Sequence, residues 1–342
     1  MISFTARMLT VAAILYTECR ICNAYSLTRV TSRFTATKAT GHTIPFQTHH
    51  IKMQRNIFPN YLCEQNCRLP KTKTSLGLSS SIFPQDILSS LSSLKILRAT
   101  IINTTLFLTL RPKLMKMLTP SGLLHAFVLG CGLWSTLGWR GWSVCVAYLL
   151  MGQVVTKIRF EEKEAAGISE GRGGRRGPEN VWGSALTGLI CAILSSQGDS
   201  FLGIKSDVYV LAFVSSIATK LSDTFASEIG KAYGKTTFLI TTLRKVPPGT
   251  EGAVSAEGTA AAVLGGGLLS LYAWSIGLIT LPGVGISTVA AFLGCNAESV
   301  IGATLQGKKG FSWMTNEVVN FFNTLIGAGL AFFFTKVFPS VV

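Results

Sequence analysis

The sequence predicts an all-α, polytopic membrane helical bundle of about seven transmembrane helices. Three observations lead there. Hydrophobic residues make up 48% of the 342-residue chain and charged residues only 14%, against about a quarter charged in a soluble domain. Long intervals carry no charge at all, and several approach the roughly 20 residues that one crossing needs. Basic residues gather in alternate loops between those intervals, which is the asymmetry that membrane topology imposes.

The formal net charge of +15 is unevenly spread. Residues 1–120 hold 15 Lys and Arg against three acids, Glu18, Glu64 and Asp86, while residues 121–342 hold 16 against 13 acids. Charge concentrated at one end argues against a nucleic-acid partner for the chain as a whole. Residues 1–24 read as a signal-like segment, with Arg7, an apolar run over 8–16 and a small-residue end at Cys22-Asn23-Ala24. Residues 25–95 are transit-peptide-like and are expected to be disordered, being rich in Ser, Thr, Lys and Arg and poor in acids. With Tyr25 at the junction, the two resemble the bipartite presequence that leads into secondary plastids. The expected location is a plastid membrane, multi-pass; an unaddressed basic N-terminus is the alternative. The membrane domain then occupies 96–342.

The spans follow in order. Residues 117–139 are free of charge, and Arg140 separates them from a short apolar second span at 141–156. The third is 180–198. The fourth, 208–229, begins apolar and ends charged. The uncharged stretch 258–297 is twice the length of one crossing, and Leu281-Pro282-Gly283-Val284-Gly285 divides it into spans at 258–280 and 285–304. The seventh is 318–335. A weaker interval, 96–110, is spoiled by Arg98, Asn103 and several Thr, and suits the membrane interface. Strand-like alternation is missing. His125 stands alone on an apolar helix and reads as a helix-contact residue rather than a base.

With seven crossings, the loops after the second, fourth and sixth share one face. They hold twelve basic residues: Lys157, Arg159, Lys163, Arg172, Arg175, Arg176, Lys231, Lys235, Arg244, Lys245, Lys308 and Lys309. The other face has three, Arg140, Lys205 and Lys336. A positive-inside bias of this size sets the orientation. It also brings the motif-like segments to one side.

Four segments there could carry chemistry. GRGGRRGPEN (171–180) sets Arg172, Arg175 and Arg176 among glycines, which suits a backbone-NH and guanidinium anion site; a flexible basic loop is the alternative. KLSDTFASEIGKAYGK (220–235) places Lys220, Asp223, Ser227, Lys231 and Lys235 near one helical face, with Glu228 at its edge. Asp223 and Glu228 are hard oxygen ligands, and Lys231 and Lys235 are phosphate partners; Mg²⁺ commonly bridges one or two carboxylates to substrate phosphates. Ion pairs at a helix end are the plain alternative. PPGTEGAVSAEGTAAA (247–262) is a turn into a helix start, where Thr250, Glu251, Gly252 and Ser255 could meet phosphate oxygens. Finally, Asn296 and Glu298, then Asn316, Glu317 and Asn320, lie at the ends of the last two spans. Glu298 ends an otherwise uncharged run, and a carboxylate there is costly without a function or a partner.

The blocks RGGRRGPENVWGSA, KLSDTFASEIGKAYGKTTFLITT, VPPGTEGAVSAEGT, NAESVIGATLQ and NEVVN resemble a family of multispanning membrane proteins. It includes transmembrane protein nineteen of animals and the plastid phytyl-phosphate kinases of tocopherol and phylloquinone synthesis. The likeness runs from about residue 118 to residue 337. It implies a phosphotransferase that converts phytyl (isoprenoid) monophosphate to the diphosphate with a nucleoside triphosphate. It further implies Asp223 and Glu228 as metal-linked acids, with Arg175, Arg176, Lys231 and Lys235 gripping phosphate. The expected partners are the bilayer, an isoprenoid phosphate and a nucleotide, with Mg²⁺ as cofactor. Two rival readings use the same residues. A small-anion transporter or channel would suit the intramembrane charges, although such proteins often carry internal repeats and none is visible. A lipid nucleotidyltransferase would use the same carboxylates and release pyrophosphate.

Overall fold

The computed structural model describes residues 85–339, with side chains from residue 94. The signal-like segment and nearly all of the transit-like segment lie outside the described residues. Eight α-helices follow one another: α1 (Gln85–Met117), α2 (Pro120–Lys157), α3 (Phe160–Ala165), α4 (Pro178–Ser195), α5 (Ser206–Tyr233), α6 (Ala256–Ser275), α7 (Leu281–Thr304) and α8 (Asn316–Val337). Helix α1 opens at Gln85, inside the interval expected to be disordered, so the boundary at 95 falls within a helix. It contains the interval 96–110 and packs on α2. Asn103 is fully buried there and accepts a hydrogen bond from Trp142 Nε1 at 2.9 Å.

Helix α2 is a hairpin rather than a straight rod. At Gly138 the backbone turns to φ 64° and ψ −157°, a conformation open to glycine and strained for other residues. The Trp134 and Trp142 ring centroids lie 5.2 Å apart, whereas eight residues of straight helix rise about 12 Å. The two ends meet the same residue. Thr119 N donates to Arg176 O at 3.0 Å, and Arg176 Nη1 donates to Tyr148 OH at 2.9 Å. The arms 120–137 and 139–157 thus occupy the first two intervals read as spans. Each is roughly 27 Å long at about 1.5 Å per residue.

Helix α5 is the axis of the bundle. Every residue from 211 to 222 is buried, the polar Ser215, Ser216, Thr219, Lys220 and Ser222 included. Small residues let its neighbours approach closely, the usual device of membrane helices. A methyl group on Gly294 of α7 or on Gly327 of α8 would overlap Thr219. On the remaining side, Ser222 Oγ donates to Ala262 O of α6 at 2.8 Å. His125 accepts a hydrogen bond from Trp182 Nε1 at 2.8 Å, a contact between α2 and α4.

The break between α6 and α7 comes earlier than the Leu-Pro-Gly segment suggests. Residues 276–280 make the turn, and Leu281-Pro282-Gly283 opens α7. Proline belongs in a first helical turn because its missing NH has no intrahelical acceptor there. The Thr280 side chain caps Gly283 N. Two small antiparallel hairpins interrupt the helices: β1 (Ser200–Phe201) with β2 (Ile204–Lys205), and β3 (Phe238–Leu239) with β4 (Ala253–Val254). Among the described residues three helices, α2, α7 and α8, are long and apolar enough to cross a membrane by length and composition. Helix α5 carries Asp207, Lys220, Asp223, Glu228 and Lys231, which lower its hydropathy.

Candidate functional site

A cavity of about 290 Å³ opens where the loops 157–177, 234–255 and 305–315 come together. Helices α5, α6 and α7 form its walls, and the start of α8 closes one side. Its upper part is polar. On α7 the lining runs from Gly302 down to Phe292, roughly 15 Å along the axis. Its deep end is lined by Ala262, Phe292 and Cys295 together with Lys220 and Asn320.

Helical spacing on α5 aims Lys220, Asp223, Thr224, Ser227 and Lys231 into this space. Lys220 is 6% exposed. Its ammonium pairs with Asp223 and donates to Asn320 Oδ1 of α8, so one buried cation ties two helices at the cavity wall. Glu298 of α7 lines the same cavity beside Asp223 and Lys220. Glu298 Oε2 in turn accepts from Asn323 Nδ2 at 2.9 Å. Lys231 lines the cavity without an ion pair to any described residue.

The turn before α6 supplies the third wall. Gly252 adopts φ 74°, and a Cβ there would overlap Ala303 and the carbonyl of Ser299. The turn therefore sits directly on the end of α7. This carries Glu251 into the cavity, where burial pushes its carboxyl above the usual glutamate range and Lys231 pulls it partly back. The hydroxyl of Ser255 accepts from Gly258 N at 3.1 Å as the cap of α6, and that of Thr250 donates to Pro247 O at 2.8 Å. Both line the cavity while holding the turn.

Eleven residues singled out in the sequence therefore meet in one cavity: Arg176, Asp223, Lys231, Thr250, Glu251, Gly252, Ser255, Asn296, Glu298, Asn316 and Asn320. Three do not line it. Helix α5 ends at Tyr233, so Lys235 lies beyond the helix and is exposed. Arg175 lines a neighbouring cavity of about 190 Å³. Glu228 is the main correction. Five residues beyond Asp223 it is turned by roughly 140° on a helix, and it forms an ion pair with Lys163 of α3. It is not placed to share a cation with Asp223. Lys220, placed by the sequence on the same helical face but given no role, also lines the cavity, as do Asn180 at the end of the arginine segment and Glu170. For Lys220 the usable signal is a cation directly after an apolar run; Glu170 and Asn180 carry no such mark.

The donor set fits a divalent cation only in part. The described residues contain no group of three or more His, Cys, Asp and Glu arranged to enclose a metal. Two neighbouring carboxylates repel each other unless a proton or a cation lies between them. Magnesium ordinarily takes one or two carboxylates and completes its shell with water and phosphate. Asp223 and Glu298 fit that incomplete set.

Comparison with known proteins adds the family. The sequence profile of the integral membrane protein DUF92 family matches residues 103–328. The chain belongs to the DUF92 family. The matched interval contains every residue that lines the cavity of this DUF92 protein. An uncharacterized membrane protein of Synechocystis is 54% identical over 237 residues, covering 69% of this chain and 89% of that protein. Protein VTE6, chloroplastic, of Arabidopsis thaliana is 44% identical over 232 residues, 67% of this chain and 68% of that protein. An uncharacterized membrane protein of Methanocaldococcus jannaschii is 30% identical over 221 residues, 64% of this chain and 87% of that protein. No solved structure matches the chain.

Proposed function

We propose that this DUF92 protein is an isoprenoid-phosphate kinase, which transfers the γ-phosphoryl group of a nucleoside triphosphate to phytyl monophosphate for tocopherol and phylloquinone synthesis. One observation carries the reading. A single cavity combines Asp223, Glu298 and Glu251 with Lys220, Lys231 and Arg176, and adds the apolar side chains of Ala262 and Phe292. Phosphoryl transfer asks little covalent chemistry of a protein and depends on positioning and on neutralising charge. The similarity to the chloroplastic VTE6 protein supports the pathway and a plastid location.

Lys220, Lys231 and Arg176 neutralise the phosphate oxygens, and Asn296, Asn316 and Asn320 orient them. The buried Asp223–Lys220–Asn320 link holds the first cation rigid, so little reorganisation is needed as charge moves. Asp223 and Glu298 would hold Mg²⁺; the ion would supply further charge neutralisation on the phosphates. We read the two arms of α2 together with α4, α5, α6, α7 and α8 as seven crossings, with the three basic loops facing the stroma. Residues 1–85 fused to a fluorescent reporter test the address: delivery to a plastid is expected, and secretion or cytosolic retention would refute it.

The deciding assay uses purified protein in detergent, phytyl monophosphate and each of four labelled nucleoside triphosphates. Labelled phytyl diphosphate with release of nucleoside diphosphate is the expected product. Transfer of the nucleotidyl group with release of pyrophosphate would establish a nucleotidyltransferase instead.

A further inference from the structure

The smaller cavity shares four residues with the larger one: Glu170, Arg176, Asn180 and Asn316. The two spaces differ in what they suit. The larger descends between α5, α6 and α7 as far as Phe292 and Ala262. The smaller, about 190 Å³, is made by the arginine loop, Thr156 and the first residues of α4 and α8. We propose that the smaller cavity is a separate subsite for the phosphate chain of the nucleoside triphosphate. The larger then takes the prenyl monophosphate, with its chain toward Phe292. This assignment rests on the kinase reading.

Three arginines line the smaller cavity beside two carboxylates, Glu170 and Glu317, and it is the arginines that suit a polyphosphate. Arg172 is occupied, since it pairs with Glu179 and donates to Asn180 Oδ1 at 2.7 Å. Arg175 makes a single bond, from Nε to Arg172 O at 3.4 Å, so its two terminal nitrogens stay available to an anion. Arg176 gives Nη1 to Tyr148, and its Nε is buried without a partner. Guanidinium groups of this kind grip phosphate by paired hydrogen bonds. The N-termini of α4 and α8 converge on the same space, close enough that a Cβ on Gly183 would lie 2.8 Å from Glu317 O. Both helix dipoles then favour an anion there.

Arg176, common to both cavities, lies where the transferred group must pass. An oxygen of the prenyl phosphate attacks the γ-phosphorus and a new P–O bond forms. The bond to the β–γ bridging oxygen breaks, and the nucleoside diphosphate leaves with that electron pair. The diphosphate of the prenol stays on the larger side.

The test is direct binding to the full-length protein in detergent, by calorimetry, with inorganic tripolyphosphate and separately with phytyl monophosphate. Arg175 is exposed, so Arg175→Gln keeps the fold. It should weaken tripolyphosphate at least tenfold and leave phytyl monophosphate within about twofold. Phe292→Trp, which fills the deep end of the larger cavity, should show the reverse. Equal losses of both ligands in Arg175→Gln, or no loss of tripolyphosphate, would overturn the division. If turnover assays show no kinase while Arg175→Gln still loses tripolyphosphate alone, the reaction assignment falls and the subsite stands.

Discussion

Lys163 of α3 and Glu228 of α5 meet as an ion pair inside the protein, with 2% and 1% of their side chains exposed. The same ammonium donates to Thr156 O at 2.9 Å. Nearby, Arg159 Nη1 donates to Ala232 O at 2.6 Å. The arginine loop is thereby fixed to the C-terminal part of α5. Further along, Gln153 and Lys157 bind the carbonyls of Gly174 and Gly173, each at 2.9 Å. Glu228 is tied to this loop and does not line the cavity.

Removing one partner of a buried pair leaves the other charge uncompensated, at a cost of about 3–5 kcal/mol. Glu228→Ala should accordingly lower the thermal stability of the purified protein by that order. Replacing both partners, Lys163→Met with Glu228→Met, should recover most of the loss. Equal stability of Glu228→Ala and the unaltered protein in detergent unfolding would show that the pair does not fasten the loop.

Asp223 is expected to behave differently. Asp223→Asn keeps a hydrogen-bond acceptor for Lys220 but removes the charge that faces the cavity. Turnover should fall at least about a hundredfold, on the order of 3 kcal/mol, the size typical of losing one electrostatic group in a transition state. The yield of monodisperse protein should change little. A mutant with full specific activity would end the catalytic assignment, and one that fails to fold would point to a structural ion pair with Lys220.

The meeting of the three loops around one cavity makes a topological prediction. Single cysteines placed at Ser169, Thr242 and Gln306 should all react with an impermeant thiol reagent from the same side of a sealed vesicle. Labelling of any one from the opposite side would contradict seven crossings.

Close packing at Thr219 makes the fourth. Gly327→Ala forces a methyl group into the Thr219 hydroxyl, and overpacking of this kind costs about 1–3 kcal/mol. The double variant Thr219→Ala with Gly327→Ala should regain part of the lost stability, since the Cβ of residue 219 still lies 2.9 Å from the added methyl. If the second change brings no recovery in thermal unfolding, the destabilisation arises elsewhere.

The all-α membrane class, the approximate helix positions and eleven of the residues that line the cavity were legible in the sequence. Apolar periodicity, chain-breaking residues and charge at membrane depth are local signals, and a helix start or a misplaced carboxylate needs no knowledge of its neighbours. Which groups face each other is a different matter. Asp223 and Glu228 stand five positions apart and look equivalent in the sequence, yet helix geometry turns them to different partners, Lys220 for one and Lys163 for the other. The turn at Gly138, not Arg140, folds α2 back on itself, because only glycine reaches that backbone conformation without strain. Pairings across helices depend on packing between segments distant in the chain, and only the tertiary structure decides them.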